Sequence, residues 1–252
     1  MHERVDVMGI PVDRLDVEGA ALAIRRIVSL ARPGQAASIV CTPNAEIMMA
    51  ARKDAELGEV LRGADLVLAD GAGVALAARI LGKGRIPRAQ GFDTTQRLLE
   101  AGGLSFYFLG GKPGVAKAAA EATATRHPRA RVVGWRDGYF AEADWPSVVD
   151  GVNGSGADVL LVALGAPAQE KWMWRNRGAL SPAVCMGVGG TLDVLAGVAP
   201  LAPAPMRRLG LEWLFRLARQ PWRAVRMRRL PQFIMLAIRW RLLGPPRRAP
   251  SG

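Results

Sequence analysis

Six stretches of the chain are apolar at nearly every position rather than at alternate ones: 37–42 (ASIVCT), 64–70 (ADLVLAD), 104–110 (LSFYFLG), 130–135 (ARVVGW), 157–165 (ADVLLVALG) and 183–189 (AVCMGVG). A strand solvated on one face alternates polar and apolar residues, so continuous runs predict strands covered on both faces. Between them lie helix-length segments such as 73–82 (GVALAARILG) and 113–127 (PGVAKAAAEATATRH), the second with Pro113 placed to open a helix. Strand and helix in alternation predict an α/β fold, a Rossmann-like and largely parallel sheet with helices on both faces. No internal repeat interrupts it. The one shift in composition is the proline cluster 199–205 (APLAPAP), which divides the chain into a body at 1–198, a linker at 199–205 and a terminal segment at 206–252.

Charge separates these parts. From Met206 onward there are twelve arginines, no lysine and one acid, Glu212, so this segment carries +11 of the net +12. The rest, with 22 basic and 21 acidic residues, is close to neutral. The appendage should therefore meet an anionic partner: lipid headgroups, nucleic acid or a phosphorylated substrate. If 211–226 is helical, Arg216, Arg219, Arg223 and Arg226 share one face, with Leu211, Leu214, Ala218, Trp222 and Val225 about half a turn away. Pro221 should break or kink that helix, and 233–243 (FIMLAIRWRLL) supplies a further amphipathic piece. No run reaches the roughly 18 apolar residues of a membrane span, so the chain is expected to lie on a membrane rather than cross one. The first residues, MHERVDVMGIPVD, lack the apolar centre of a signal peptide. Cys41 and Cys185 sit far apart in apolar strand contexts without metal-ligand spacing, which reads as buried free thiols in a reducing compartment.

In a sheet of this kind ligands gather at the carboxyl ends of the strands. Thr42 and Asn44 in TPNAE follow one predicted strand, and Asn44 is placed either to cap the next helix or to face a ligand. Asp70 in LADGAG ends another, as an N-cap or as a general base. Gly110 and Gly111 in FLGGKPG, and Gly189, Gly190 and Asp193 in MGVGGTLD, join a strand to a helix where backbone amides can hold a phosphate. FLGGKPG is not a full dinucleotide fingerprint, nor is MGVGGTLD, where Leu192 stands at the third glycine, and no Walker lysine signature occurs. Gln169 and Lys171 in GAPAQEKW follow the most apolar strand at the same edge.

Together TPNAEI, ADLVLADGAGV, FLGGKPGVA, GYF, GADVLLVALGAPAQEKW, GVGGTLDVLAG and MRRLGLEWLFRL, in this order and spacing, resemble the TagA/WecG/CpsF glycosyltransferases, glycosyltransferase family 26, over residues 5–243. The resemblance implies an inverting enzyme that moves a sugar from a UDP-sugar to a polyprenyl-diphosphate-linked acceptor in cell-surface polysaccharide synthesis. It also implies a basic C-terminal appendage for membrane association, and hence a cytoplasmic protein held peripherally on the inner face of the cell membrane. The family's threonine and asparagine correspond to Thr42 and Asn44, its proposed catalytic aspartate to Asp70, and the glutamine of its QEKW motif to Gln169. A family stretch resembling RVTGSDL corresponds to RAQGFDTT, which keeps Arg88, Gly91 and Asp93 and has Phe92 in place of the serine.

Chemistry assigns tasks to these residues. Inversion is a single displacement at the anomeric carbon, for which Asp70 would take the acceptor proton while Thr42, Asn44 and Gln169 hold hydroxyls in line. The leaving diphosphate needs positive charge, yet no Asp-x-Asp occurs and His2 and His127 are isolated. Backbone amides at the two glycine pairs, and arginines including Arg207, Arg208, Arg216, Arg219, Arg223 and Arg226, are expected to supply it. The expectation is no metal and no cofactor. Partners would be the UDP-sugar, the lipid-linked acceptor and an anionic membrane, without nucleic acid, and a homo-oligomer stays open. A nicotinamide-dependent reductase would share the sheet but not its fingerprint. A nucleic-acid-binding protein would explain the arginines and tryptophans of the tail but not the residues at the strand ends.

Overall fold

The computed structural model describes residues 2–219 and 229–244. All six predicted strands form, with bounds that shift at one or both ends, and pair in parallel: β3 (Ser38–Cys41), β4 (Leu66–Val67), β5 (Ser105–Gly110), β6 (Arg131–Arg136), β7 (Val159–Ala163) and β8 (Val184–Gly187), in the order β4-β3-β8-β7-β5-β6. Strand positions alternate between two cores. Ile39, Cys41, Tyr107, Leu109, Leu160, Val162 and Cys185 pack on one face. Val40, Phe106, Phe108, Val159, Leu161, Val184 and Met186 pack on the other. Burial on both faces is why the sequence is continuously apolar in these strands. Cys41 and Cys185 are buried and free.

The second face is covered by α1 (Val17–Leu30), α5 (Gly91–Ala101), α6 (Val115–Arg126) and α9 (Thr191–Leu195). The first is covered by α2 (Ala45–Ala51), α3 (Ala55–Gly63), α4 (Ala72–Ile80), α7 (Trp145–Gly154) and α8 (Ala168–Asn176). Helix α6 begins two residues after Pro113, because Gly114 at φ +84° makes the turn and occupies the cap position. An antiparallel hairpin that the apolar pattern does not announce, β1 (Arg4–Val7) and β2 (Ile10–Asp13), also packs on the first face. Its turn places Met8 and Gly9 at φ +54° and +87°, the geometry of a tight two-residue hairpin. Asp13 ties it to the sheet, fully buried and accepting from the Val67 N–H at 2.6 Å and from Arg4 Nε at 2.9 Å.

The terminal segment folds onto this body. Short helices α10 (Ala204–Leu209) and α11 (Glu212–Arg219) follow the prolines, and α12 (Arg229–Leu243) packs against α4 and α2. Phe233 is 1% exposed and Ala237 is fully buried in the first core. Gly73 permits this approach, since a Cβ there would lie 2.8 Å from Leu230 Cδ1 and 3.1 Å from Ala45 Cβ. The sequence reading makes this segment an appendage and does not anticipate that α12 completes the core. Arg208 and Arg216 fall on α10 and α11, whereas Pro221, Trp222, Arg223, Val225 and Arg226 lie outside the described residues. Among the described residues no helix is long and apolar enough to cross a membrane.

Candidate active site

The strand order sets the position of the site. The chain runs outward from β3 to β4, crosses to β5 and β6 on the far side, and returns through β7 to β8 beside β3. The carboxyl ends of β3, β4, β7 and β8 therefore meet at the place where such sheets bind ligands. A cleft of about 230 Å³ opens there, lined by Thr42, Asn44, Asp70, Gln90, Asp93, Gln169, Gly189, Gly190 and Thr191 among others. The three residues proposed for catalysis thus share one cavity with Gln169.

Each is placed by its backbone. The Thr42 hydroxyl donates to the Gly187 carbonyl at 2.9 Å, joining the ends of β3 and β8 inside the protein. Asn44 caps α2, its Oδ1 accepting from the Ile47 N–H at 3.1 Å, so the capping role holds and the amide NH2 remains as a donor. Asp70 does not occupy a cap position: Gly71 at φ +87° precedes the first turn of α4. The Asp70 N–H donates to the Pro43 carbonyl at 3.2 Å, which seats the carboxylate beside the TPN loop. Gln169, 2% exposed, spans the cleft wall: its Oε1 accepts from the Gly189 N–H at 3.1 Å, and its Nε2 donates to Glu170 Oε1 at 2.8 Å.

The rim comes from the terminal segment. Arg207 lines the cleft and pairs with Asp93 at 2.5 Å, Arg229 lines it and pairs with Glu46 at 3.5 Å, and Gln90 donates to Glu212 at 2.9 Å. Arg88 does not line the cleft: its guanidinium donates to the Arg207 carbonyl at 3.1 Å and so holds α10 in place. Asp193 lies in the first turn of α9 and also outside the lining. Arg219 is outside too, stacked 5.6 Å from the Phe215 ring. Lys171 turns away to Asp54 at 2.7 Å and Glu56 at 3.1 Å.

The two glycine pairs part company. Gly189 and Gly190 line the cleft, whereas Gly110 ends β5, on the far side of β7, and Gly111 follows it, neither of them in the lining. The Gly111 N–H is taken by the Ala163 carbonyl at 3.1 Å, and the N–H of Gly114, the residue that caps α6, by Asp137 Oδ2 at 2.9 Å. A carboxylate thus already occupies the place expected for a phosphate. Sequence reading also passes over Glu170, Glu212 and Arg229. Glu170 is hidden because an acid in the first turn of a helix reads as solvated, and Arg229 because it is one arginine among twelve. Among the described residues no group of three or more His, Cys, Asp or Glu is arranged to hold a metal ion.

Comparison with known proteins agrees with this architecture. The model of the glycosyl transferase WecG/TagA/CpsF family matches residues 5–247. The chain is 32% identical over 205 residues, 80% of its own length and 79% of the relative's, to the N-acetylglucosaminyldiphosphoundecaprenol N-acetyl-beta-D-mannosaminyltransferase of Bacillus subtilis (strain 168). The chain therefore belongs to the WecG/TagA/CpsF family of glycosyltransferases.

Proposed function

We propose that the protein transfers a sugar from a UDP-sugar to a polyprenyl-diphosphate-linked saccharide with inversion, without a metal ion, using Asp70 as general base. The convergence of Thr42, Asn44, Asp70 and Gln169 on one cleft at the carboxyl edge of the sheet carries this reading. N-acetylmannosamine is the first donor sugar to consider, ahead of its uronic acid and glucose, because the Bacillus relative is named for that transfer. The β product in that name is what inversion yields from an α-linked nucleotide sugar.

In this mechanism the acceptor hydroxyl approaches the anomeric carbon while Asp70 takes its proton, and the C–O bond to UDP breaks on the opposite face. The Asn44 NH2 donates to a sugar hydroxyl, and Gln169 keeps the Gly189 wall in place. Charge developing on the departing diphosphate meets Arg207 and Arg229 at the rim, without the aid of an Asp-x-Asp pair, which the sequence lacks. The cleft is smaller than the roughly 300–1,000 Å³ of ordinary ligand sites, and parting of the Arg207–Asp93 and Arg229–Glu46 pairs would enlarge it as the nucleotide sugar enters. Both arginines would then exchange a carboxylate for a phosphate.

The lipid acceptor sets the location. Leu209, Met235, Leu242 and Leu243 are each more than two-thirds exposed on the arginine-rich terminal helices, a pairing suited to an anionic membrane surface. The protein would thus work peripherally on the inner face of the cell membrane. Purified enzyme with a panel of UDP-sugars and a short-chain lipid-diphosphate acceptor tests the reading. Transfer should survive EDTA, and Asp70→Asn should lower kcat by about 10²–10⁴-fold with UDP affinity unchanged. A near-normal kcat in that variant removes Asp70 from the role of base.

A further inference from the structure

Glu170 has no task in the mechanism above, and its setting is costly. It lies in the first turn of α8, 1% exposed, and burial pushes its carboxyl above the usual carboxylate range. Among the described residues no cation pairs with it, and Oε2 has no hydrogen-bond partner. Its other oxygen accepts from Gln169 Nε2 at 2.8 Å. A buried acid held on such terms is a poor way to stabilise a helix, since an apolar residue of the same size would avoid the desolvation.

What it does is fix a neighbour. A glutamine amide has nearly the same shape when rotated by half a turn, so only its partners decide which end is oxygen. At Gln169 the two ends face opposite demands. The Gly189 N–H is a donor and requires Oε1, and the Glu170 oxygen is an acceptor and requires Nε2. Reversal would set N–H against N–H and oxygen against oxygen. Protonated or ionised, Glu170 still offers an acceptor. Gly187 leaves the space, since a Cβ there would lie 2.9 Å from Gln169 Nε2 and 3.3 Å from Cδ.

We propose that Glu170 is a positioning residue, which locks the Gln169 amide with its oxygen on the Gly189 N–H and so shapes the Gly189–Gly190 wall of the cleft. Its effect on substrate binding rests on the function proposed above; its effect on the wall does not.

The test follows exchange of the Gly189 backbone amide by NMR in the full-length protein, alongside steady-state kinetics. Glu170→Leu removes the acceptor and should speed Gly189 exchange at least about tenfold, in keeping with the loss of one hydrogen bond, whereas Glu170→Gln should stay within about threefold of wild type. Gln169→Ala should match Glu170→Leu, and adding Glu170→Leu to Gln169→Ala should change nothing further. Unchanged Gly189 protection in Glu170→Leu, or an equal further loss in the Gln169→Ala background, would overturn the proposal. In turnover, Glu170→Leu should raise the KM for the UDP-sugar about tenfold with kcat within about threefold, and Glu170→Gln should restore it. A wild-type KM in Glu170→Leu would remove the link to the cleft. Absence of transfer by the wild-type protein would count against the proposed activity alone, because the exchange data judge the amide lock by themselves.

Discussion

Gly110–Gly111 and Gly189–Gly190 both follow a parallel strand and precede a helix, yet only the second pair borders the cleft. The difference lies in what surrounds each turn. At Gly110, φ is +129° and a Cβ would sit 2.4 Å from the Ala163 carbonyl oxygen, so glycine is needed for two neighbouring strands to end side by side. At Gly189, φ is +52° and a Cβ would meet nothing within 4 Å, because the space beyond is the cleft. One glycine is required by packing, the other by a backbone turn beside empty volume. A glycine pair after a strand thus predicts a turn, and the place of that strand in the sheet decides whether the turn meets a ligand.

The comparison is broken most severely at Gly110. Gly110→Ala combines a forbidden contact with a backbone angle that alanine avoids, and should cost about 2–5 kcal/mol of stability. Chemical denaturation would show this as a lower midpoint or as loss of soluble protein. Whatever folded fraction remains should bind UDP with wild-type affinity, since neither Gly110 nor Gly111 lines the cleft. A stable variant with weakened UDP binding would assign Gly110 to the ligand instead.

Much of the fold was legible because burial on both faces of β3, β5, β7 and β8 leaves continuous apolar runs, whose positions alternate between the two cores. The β1–β2 hairpin was not, since its Met8–Gly9 turn carries none of the Asn-Gly or Asp-Gly chemistry that marks such turns. Helix α12 was legible as amphipathic but not as core. Phe233 and Ala237, one turn apart, are buried among exposed Met235, Ile238 and Leu242, and only Gly73 on a distant helix shows that the bodies approach closely. At the site, Thr42, Asn44, Asp70 and Gln169 stood out because each follows a strand. Arg88 and Asp193 lie in the same motifs but outside the cleft, and Glu212 and Arg229 reach it through tertiary docking that local sequence does not encode.

A smaller effect on stability, with a larger one on function, is expected at the other turn. Gly189→Ala must hold alanine in the left-handed region, costing about 1–2 kcal/mol, and a melting curve should fall by about 2–8 °C. The added methyl has no protein neighbour and points into volume that a substrate would use, so the KM for the donor should rise about tenfold, as for one misplaced methyl in a pocket. Gly110→Ala and Gly189→Ala therefore separate in opposite directions on the two axes. Equal loss of stability in both, with no change of KM at Gly189, would erase the distinction.

The smallest effect concerns the anion site expected from the sequence at Gly110–Gly111. Asp137 accepts from the Gly114 N–H at 2.9 Å and places its own negative charge at the start of α6, where the free amides and helix dipole would otherwise draw a phosphate. Asp137→Ala removes the hydrogen bond to the cap residue Gly114 and should cost about 0.5–1.5 kcal/mol, the usual range for one hydrogen bond. It also removes this negative charge from the start of α6, and so gives a diphosphate its best opportunity to bind there. If the cleft beside Gly189 is the donor site, the KM for the UDP-sugar should stay within about twofold of wild type, because a helix on the far side of β7 adds nothing to a diphosphate held at the rim arginines. A fall in donor KM, or a UDP-dependent protection of the Gly114 amide from exchange in the variant, would place the phosphate at α6 and reverse the assignment of the two turns.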